Sequence, residues 1–223
     1  LPQPPVQRAM QHIRQLFANA GHECIDWDAS TQPTSYYELW EPAILADGGE
    51  GCAAASALSE PPQPLIEGML VGKPENKLDI PQRQALARKI LEYKQMYAEK
   101  MLESGVDAII APVLPWVGYK PKQWVVSNQY VGYSAHWNLF DYSALTVPTG
   151  VVADRELDSV EACAGWKDYT PKNKSDEFNH TQYDIDLVEG MPVGVQLVTG
   201  HYGEEKAIMV AGVFEELRKS SPA

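Results

Sequence analysis

A short apolar run near the C-terminal end places the strongest constraint on how this chain folds. Residues 193–198 read VGVQLV, follow Pro192 and end two positions before Gly200. A continuous apolar run of this length, bounded by proline and glycine, is typical of a strand that is buried on both faces. A helix is predicted directly after it, over residues 204–219. Glu204 and Glu205 in its first turn suit the positive end of the helix dipole.

The longest predicted helix supplies a second constraint. Asp79 is a suitable N-cap, Pro81 fits the first turn and Gly105 is a suitable C-terminal stop. Five apolar residues between them recur at helical spacing and define one face: Leu86, Ile90, Tyr93, Tyr97 and Met101. Residues 106–113 follow as a nearly continuous apolar run, which predicts a central strand buried on both faces. A long helix that leads into such a strand indicates the α/β class.

Local signals predict the other elements as well. In chain order they are a helix from Pro4 to Gly21, a short strand at 23–27, a helix over 34–57 interrupted at 47–49, a short helix over 133–141 and a buried strand over 145–152. Residues 154–189 differ in composition, with ten acidic and four basic residues. We therefore expect a single domain, 1–223, with a polar surface excursion at 154–189.

Composition excludes several classes of partner. The chain has 223 residues, a formal net charge of −12 and a pI near 4.8. This balance argues against nucleic acid and anionic membrane surfaces, both of which need clustered Lys and Arg. No run approaches the roughly 18 apolar residues of a membrane span. The three cysteines are far apart and odd in number, so we expect free thiols and a cytoplasmic location.

The sequence contains no self-sufficient catalytic set. The glycine-rich residues 47–51 lack the Lys-Ser/Thr pair of a phosphate loop, and the five histidines show no metal spacing. Ser134 and Ser143 flank His136, but neither serine lies in a Gly-x-Ser-x-Gly turn. We therefore expect no cofactor, no metal and no catalytic residue within this chain.

Four segments, taken in order, resemble the amidase signature family. They are PQPPVQRAM at 2–10, ADGGE at 46–50, YSAHWNLFDYSALTVPTG at 133–150 and the strand-to-helix stretch at 189–205. The resemblance is to the acetamidase-like and fatty-acid-amide-hydrolase-like eukaryotic members, and it covers nearly the whole chain. One departure is that Ser143 stands where the family usually has proline, which leaves the local turn geometry open.

The resemblance implies a mixed β-sheet covered by helices and a Ser–Ser–Lys triad with a glycine- and serine-rich oxyanion loop. In the family these catalytic parts lie before the point that corresponds to residue 1. The C-terminal half supplies the wall of the acyl pocket. By position, substrate-binding roles fall on Asn128, Val131 and Ala135, although the same residues would also serve simply to pack the segment.

Two hypotheses follow from the resemblance. In the first, the chain is the C-terminal half of an amidase-type hydrolase acting on a small-molecule amide, completed by an N-terminal half that carries the triad. In the second, it is a truncated amidase-like pseudoenzyme. That protein would bind an apolar small molecule in the aromatic-rich region 114–142, or catalyse a non-hydrolytic step, as a homo-oligomer. Half a sheet would also leave a strand edge available for pairing with another chain.

Overall fold

The computed structural model describes residues 1–57, 72–123 and 131–220. Its α-helices, in chain order, are α1 Pro4–Asn19, α2 Gln32–Thr34, α3 Glu41–Ile44, α4 Glu50–Ser56, α5 Ile80–Ser104, α6 Ala135–Phe140, α7 Arg155–Asp158, α8 Ala164–Lys167, α9 Lys174–Thr181, α10 Ile185–Val188 and α11 Glu204–Ser220. A π-helix covers Ser35–Trp40 and a 3-10 turn covers Pro74–Asn76. The strands are β1 Ile109–Pro112, β2 Ala144–Val152 and β3 Pro192–Val198.

The chain groups into two compact units. The first contains Leu1–Trp27, Asp107–Lys120 and Tyr142–Ala223, and the second contains Asp28–Val106 and Pro121–Asp141. The single domain expected from the sequence stays a prediction. Within the described ranges, no helix is both long and apolar enough to cross a membrane.

The first unit is built on a three-stranded sheet in the order β1–β3–β2. Both outer strands run antiparallel to β3, with Ile109 opposite Val198 and Leu145 opposite Leu197. The α/β class is confirmed, and the described strands are antiparallel throughout. The prediction of a central strand at 106–113 is wrong for the described sheet, because β1 has four residues and lies at its edge. The VGVQLV run forms the central strand.

The core of this unit lies between β3 and the two helices at the ends of the chain. Ile13 and Phe17 of α1, Val195 of β3 and Phe214 of α11 form one buried cluster. The rings of Phe17 and Phe214 are stacked, with centroids 6.1 Å apart. Pro4 and Pro5 occupy the first turn of α1, where their missing N–H groups have no helical partner to lose. The helix predicted from Pro4 is therefore confirmed.

The strand predicted at 23–27 is wrong. These residues are extended but belong to no strand of the described sheet. Their contacts are instead with α1: Arg14 forms an ion pair with Asp26 and also donates to the carbonyl of Cys24, 3.3 Å away. Alternating residue types make a strand only where a free sheet edge is available for pairing, and alternation alone carries no information about that edge.

The acidic segment 154–189 folds into the four short helices α7–α10. Most of its side chains are exposed or half-buried, as its composition predicts. Four are buried: Asp158, Trp166, Asn179 and Val188. The segment is attached to α1 through Arg8, whose guanidinium binds both carboxylate oxygens of Asp158 at 2.8 and 2.7 Å. It is therefore a packed part of the first unit.

The second unit is helical. The helix break and the helix ends predicted from its sequence are confirmed. The break predicted at 47–49 lies between α3 and α4, where Gly48 and Gly49 adopt positive φ. The Asp47 carboxylate accepts the backbone N–H groups of Gly49 and Gly51 at 2.8 Å each and so opens α4. Helix α5 begins at a capping box between Asp79 and Gln82 and ends at Gly105, which is in the left-handed region.

Candidate functional site

The predicted pocket segment begins with a tight turn into α6. The carbonyl of Val131 accepts the backbone N–H groups of Ser134 and Ala135 at 2.9 and 2.8 Å. Val131 is half-buried and Ala135 is fully buried. Asn128 lies outside the described residues. The structure thus places Val131 and Ala135 on one hydrogen-bonded turn, and their substrate-binding role stays a prediction.

His136 is the most unusual group on this helix, because it is only 1% exposed. One ring nitrogen, Nε2, lies 3.0 Å from the side-chain nitrogen of Gln32. Its other neighbours are rings, with centroids 3.9 Å away for Trp137 and 6.3 Å away for Phe140. Burial lowers the pKa of His136 to about 4, and an interaction with the backbone of Gly132 opposes part of that decrease. The imidazole is therefore neutral near pH 7.

The neutral imidazole does not activate the serine closest to it in sequence. The Ser134 hydroxyl donates to the carbonyl of Val131 at 3.3 Å. An activated nucleophile needs a base within hydrogen-bond reach of its own oxygen, and Ser134 uses its proton to close the turn.

The aromatic side chains of α6 pack against α5. Tyr97 is 1% exposed and lies 4.6 Å from Phe140 and 5.9 Å from Trp137 between ring centroids. Tyr93 stacks on Phe140 at 6.0 Å and donates its hydroxyl to the carbonyl of Thr31. These rings form the core of the second unit. They fix the position of α6, the helix that directly continues the 131–135 turn.

We expect His136 to make stability depend on pH. Its pKa falls from about 6.5 in the unfolded chain to about 4 in the folded one, so the unfolded state takes up the proton first as pH falls. Stability should therefore decrease by about 2 kcal/mol between pH 7 and pH 5 through this group alone. Urea unfolding at both pH values, for the parent and for His136→Gln, isolates the effect. The variant should lack this component, and equal pH dependence in the two proteins would contradict the assignment.

The strand-to-helix join after β3 is a second ordered feature, in the first unit. Thr199 donates its backbone N–H to the carbonyl of Ser143 at 2.9 Å and its hydroxyl to the carbonyl of Gly203 at 2.8 Å. The Ser143 hydroxyl oxygen accepts the backbone N–H of Gly203 at 3.0 Å. Ser143 is thus a structural partner of the turn before α11. Ser143 contacts Gly203, which is 60 positions away in sequence. No pattern in the residues around Ser143 predicts this contact.

The other candidate metal-binding and nucleophilic side chains do not cluster within the described residues. In the ranges 1–57, 72–123 and 131–220, no group of three or more His, Cys, Asp or Glu side chains is placed to hold a metal ion. Cys24, Cys52 and Cys163 are free thiols. His180 lies against the ring and the carbonyl of Trp166, with Nε2 2.9 Å from that oxygen.

Comparison with known proteins identifies the family. The amidase family model matches residues 1–208. "Amidase 1" of Gibberella moniliformis is 31% identical over 96% of this chain and 40% of its own length. An acetamidase of Aspergillus oryzae is 27% identical over 94% of this chain and 38% of its own length. The chain therefore spans about two fifths of the length of these relatives.

A solved structure shows the same fold. Fatty acid amide hydrolase superposes with a TM-score of 0.82 over 97% of this chain and 37% of its own, at 22% sequence identity. The VGVQLV strand, the first turn of the helix that follows it and the ordered turn into α6 lie within the region matched by the family model. Since that match extends over almost the entire sequence, this chain belongs to the amidase family.

Proposed function

We propose that this chain is the C-terminal part of an amidase-type hydrolase that acts on carbon–nitrogen amide bonds. The observation that supports this most directly is the pattern of coverage. Nearly all of this chain aligns with each relative, yet only about 40% of the relative is matched. The proposal is that the remaining part of such an enzyme supplies the Ser–Ser–Lys triad and the oxyanion loop.

The proposed contribution of this chain is positioning. Asn128, Val131 and Ala135 would line the acyl pocket, with the 131–135 turn held by its own backbone hydrogen bonds and by the aromatic packing of α6. Pre-ordered walls reduce the entropic cost of substrate binding and keep the reacting carbonyl aligned with the nucleophile. No residue of this chain is assigned to bond breaking.

The proposed substrate is a small-molecule amide. The matched relatives include proteins named for acetamide and for fatty acid amides, so the length of the acyl group is left open. A cytoplasmic location belongs to the same proposal and is consistent with the three free cysteines.

A chimeric enzyme tests this division of labour. One protein is residues 1–223 alone, and the other joins the unmatched part of Amidase 1 from Gibberella moniliformis to residues 1–223. Ammonia release from a short-chain and a long-chain primary amide is measured for both. We expect no hydrolysis by the chain alone and measurable hydrolysis by the chimera, because only the chimera contains nucleophile, base and oxyanion donors together.

Two controls make the result interpretable. Intact Amidase 1 confirms the assay, and the chimera with its predicted nucleophilic serine changed to alanine should be inactive. Hydrolysis by residues 1–223 alone would contradict the proposal. A folded, monodisperse chimera without activity would favour the pseudoenzyme hypothesis instead, particularly if the chain alone binds an apolar ligand.

A further inference from the structure

Helix α5 carries an exposed apolar stripe in addition to its buried face. Ile80, Leu91 and Leu102 are 72%, 66% and 83% exposed. They are eleven residues apart, which is three helical turns with a drift of only about 20° per repeat. The three side chains therefore lie in one nearly straight line along the helix.

The positions between these residues repeat with the same period. The outer stripe, as we name it, consists of seven exposed residues: Ile80, Gln84, Ala87, Leu91, Gln95, Ala98 and Leu102. Their spacing of four and three residues is the spacing that packs one helix against another. The buried or half-buried residues of α5, such as Tyr97, lie on a different face. The outer stripe is thus a second packing face of the same helix.

We propose that the outer stripe of α5 binds the outer stripe of a second copy of this chain, with the two helices antiparallel and the two-fold axis at Leu91. The spacing of the stripe, four, three and four residues on each side of Leu91, is the same in both directions about this centre. In the antiparallel pair, Ile80 of one copy faces Leu102 of the other, and Leu91 faces its own counterpart. An isologous contact requires this kind of self-complementarity.

The sizes of the remaining side chains fit the same arrangement. Gln84 faces Ala98 of the second copy, and Ala87 faces Gln95, so that each long side chain lies opposite a small one. Such pairs interdigitate at normal helix separations. A parallel pair would instead place Gln84 against its own counterpart and Ala87 against its own, leaving crowding at one level and a gap at the next. The alternation therefore favours antiparallel pairing.

The charges beside the stripe complement each other as well. Arg88 and Glu92 are both exposed and lie on one flank of the outer stripe. Like flanks face each other in an antiparallel pair with this axis. Arg88 of one copy consequently lies at nearly the same height as Glu92 of the other, and the contact occurs twice. Opposite charges at these positions select the register and suppress wrong partners.

Single-cysteine variants test the orientation directly. Cys24, Cys52 and Cys163 are first replaced by serine, and Ile80→Cys and Leu102→Cys are made separately in that background. Under mild oxidation we expect a disulfide-linked dimer when the two variants are mixed, and little linkage within either variant alone. Linkage within each single variant, with no linkage between the two variants when they are mixed, would show parallel pairing and overturn the proposal.

Two further variants test the energetics. Leu91→Glu places like charges at the two-fold axis and should weaken the dimer at least about 100-fold in sedimentation equilibrium. The matched control is Ile208→Glu on α11, since Ile208 is 64% exposed against 66% for Leu91. The control should leave the dissociation constant within about threefold of the parent. Circular dichroism checks that both variants remain folded.

Reversing the charges of Arg88 and Glu92 then tests whether they pair across the dimer. Arg88→Glu and Glu92→Arg should each weaken self-association, and mixing the two should restore dimers, because one copy then presents two acidic and the other two basic residues. A parent chain that is monomeric at about 100 μM, where helix–helix contacts of this size should be populated, would overturn the proposal. So would a dimer insensitive to Leu91→Glu. Neither outcome depends on amide hydrolysis, so this test is independent of the proposed function.

Discussion

Replacing Asp158 by alanine is expected to destabilise the protein by about 3–5 kcal/mol, the usual cost of removing one partner of a buried ion pair. The Asp158 side chain is 1% exposed and the Arg8 side chain 28% exposed. The Arg8 guanidinium donates to both carboxylate oxygens, and Asp158 in turn raises the pKa of Arg8. The variant leaves a half-buried guanidinium that has lost both carboxylate acceptors and still donates to the carbonyl of Val152, 2.7 Å away.

A further bond of the carboxylate adds to this cost. The Asp158 carboxylate also accepts the backbone N–H of Asp154 at 2.9 Å, and alanine loses this bond, whereas the bond from the Tyr183 hydroxyl to the backbone carbonyl of Asp158 is kept. The Asp158 carboxylate thus binds the backbone at the start of α7 and, at the same time, the guanidinium of Arg8 on α1. Its loss should loosen the attachment of segment 154–189 to α1, in addition to lowering global stability.

Urea unfolding followed by circular dichroism measures the effect of Asp158→Ala. The matched control is Glu156→Gln, an exposed acidic residue on the same short helix, and it should change stability by no more than about 0.5 kcal/mol. If the unpaired Arg8 causes the loss, the double variant Arg8→Ala with Asp158→Ala should cost less than the sum of the single changes. Additive costs would contradict the ion-pair explanation.

Gly203→Ala is expected to destabilise the join between β3 and α11 by about 2–3 kcal/mol, as overpacking does in rigid sites. A Cβ at this position would lie 2.5 Å from the hydroxyl oxygen of Thr199 and 2.8 Å from the carbonyl oxygen of Gly200. The same Thr199 hydroxyl donates to the carbonyl of Gly203, and Ser143 receives the Gly203 N–H. Relieving the clash therefore requires breaking bonds that close the turn.

Gly212→Ala is the matched control, because Gly212 lies within α11, the helix that begins directly after Gly203, and nothing lies within 4 Å of an added Cβ. Alanine is preferred over glycine inside a helix, so this change should stabilise the protein by up to about 1 kcal/mol. Thermal unfolding of both variants tests the pair of expectations. A neutral Gly203→Ala, with Gly212→Ala stabilising as expected, would show that the turn can relax and that its packing is not specific.

Much of the fold was predictable because it depends on short-range chemistry. The Asp79 capping box, the positive φ of Gly105 and the helix break at Gly48 and Gly49 all follow from residues within a few positions of one another. The bounds of the strand at 145–152 were also predicted closely, since it covers Ala144–Val152, but its predicted burial was wrong, because only Thr149 and Val151 are buried. The extended residues 23–27 show the limit of such patterns, because pairing with a sheet edge is a long-range property.

The candidate site was predictable only in part. The helix around His136 was expected from its sequence, whereas the bond by which the Ser134 hydroxyl closes the preceding turn was not. The depth of burial of His136 and its approach to Gln32, 104 positions away, were not predictable. Periodicity indicates which face of a helix is apolar but does not identify the residue that packs against it.

The amino-acid sequence alone determined the helices outside segment 154–189, the VGVQLV strand, the overall acidity and the family resemblance, because each of these resides in adjacent residues or in their order along the chain. Only the tertiary structure decided that VGVQLV is the central strand, that Ser143 closes the turn before α11, and that Asp158 is buried against Arg8. These features join residues as far as 150 positions apart. Burial and pairing at such distances depend on the whole packed arrangement, in which a small set of specific contacts offsets the cost of removing polar groups from water.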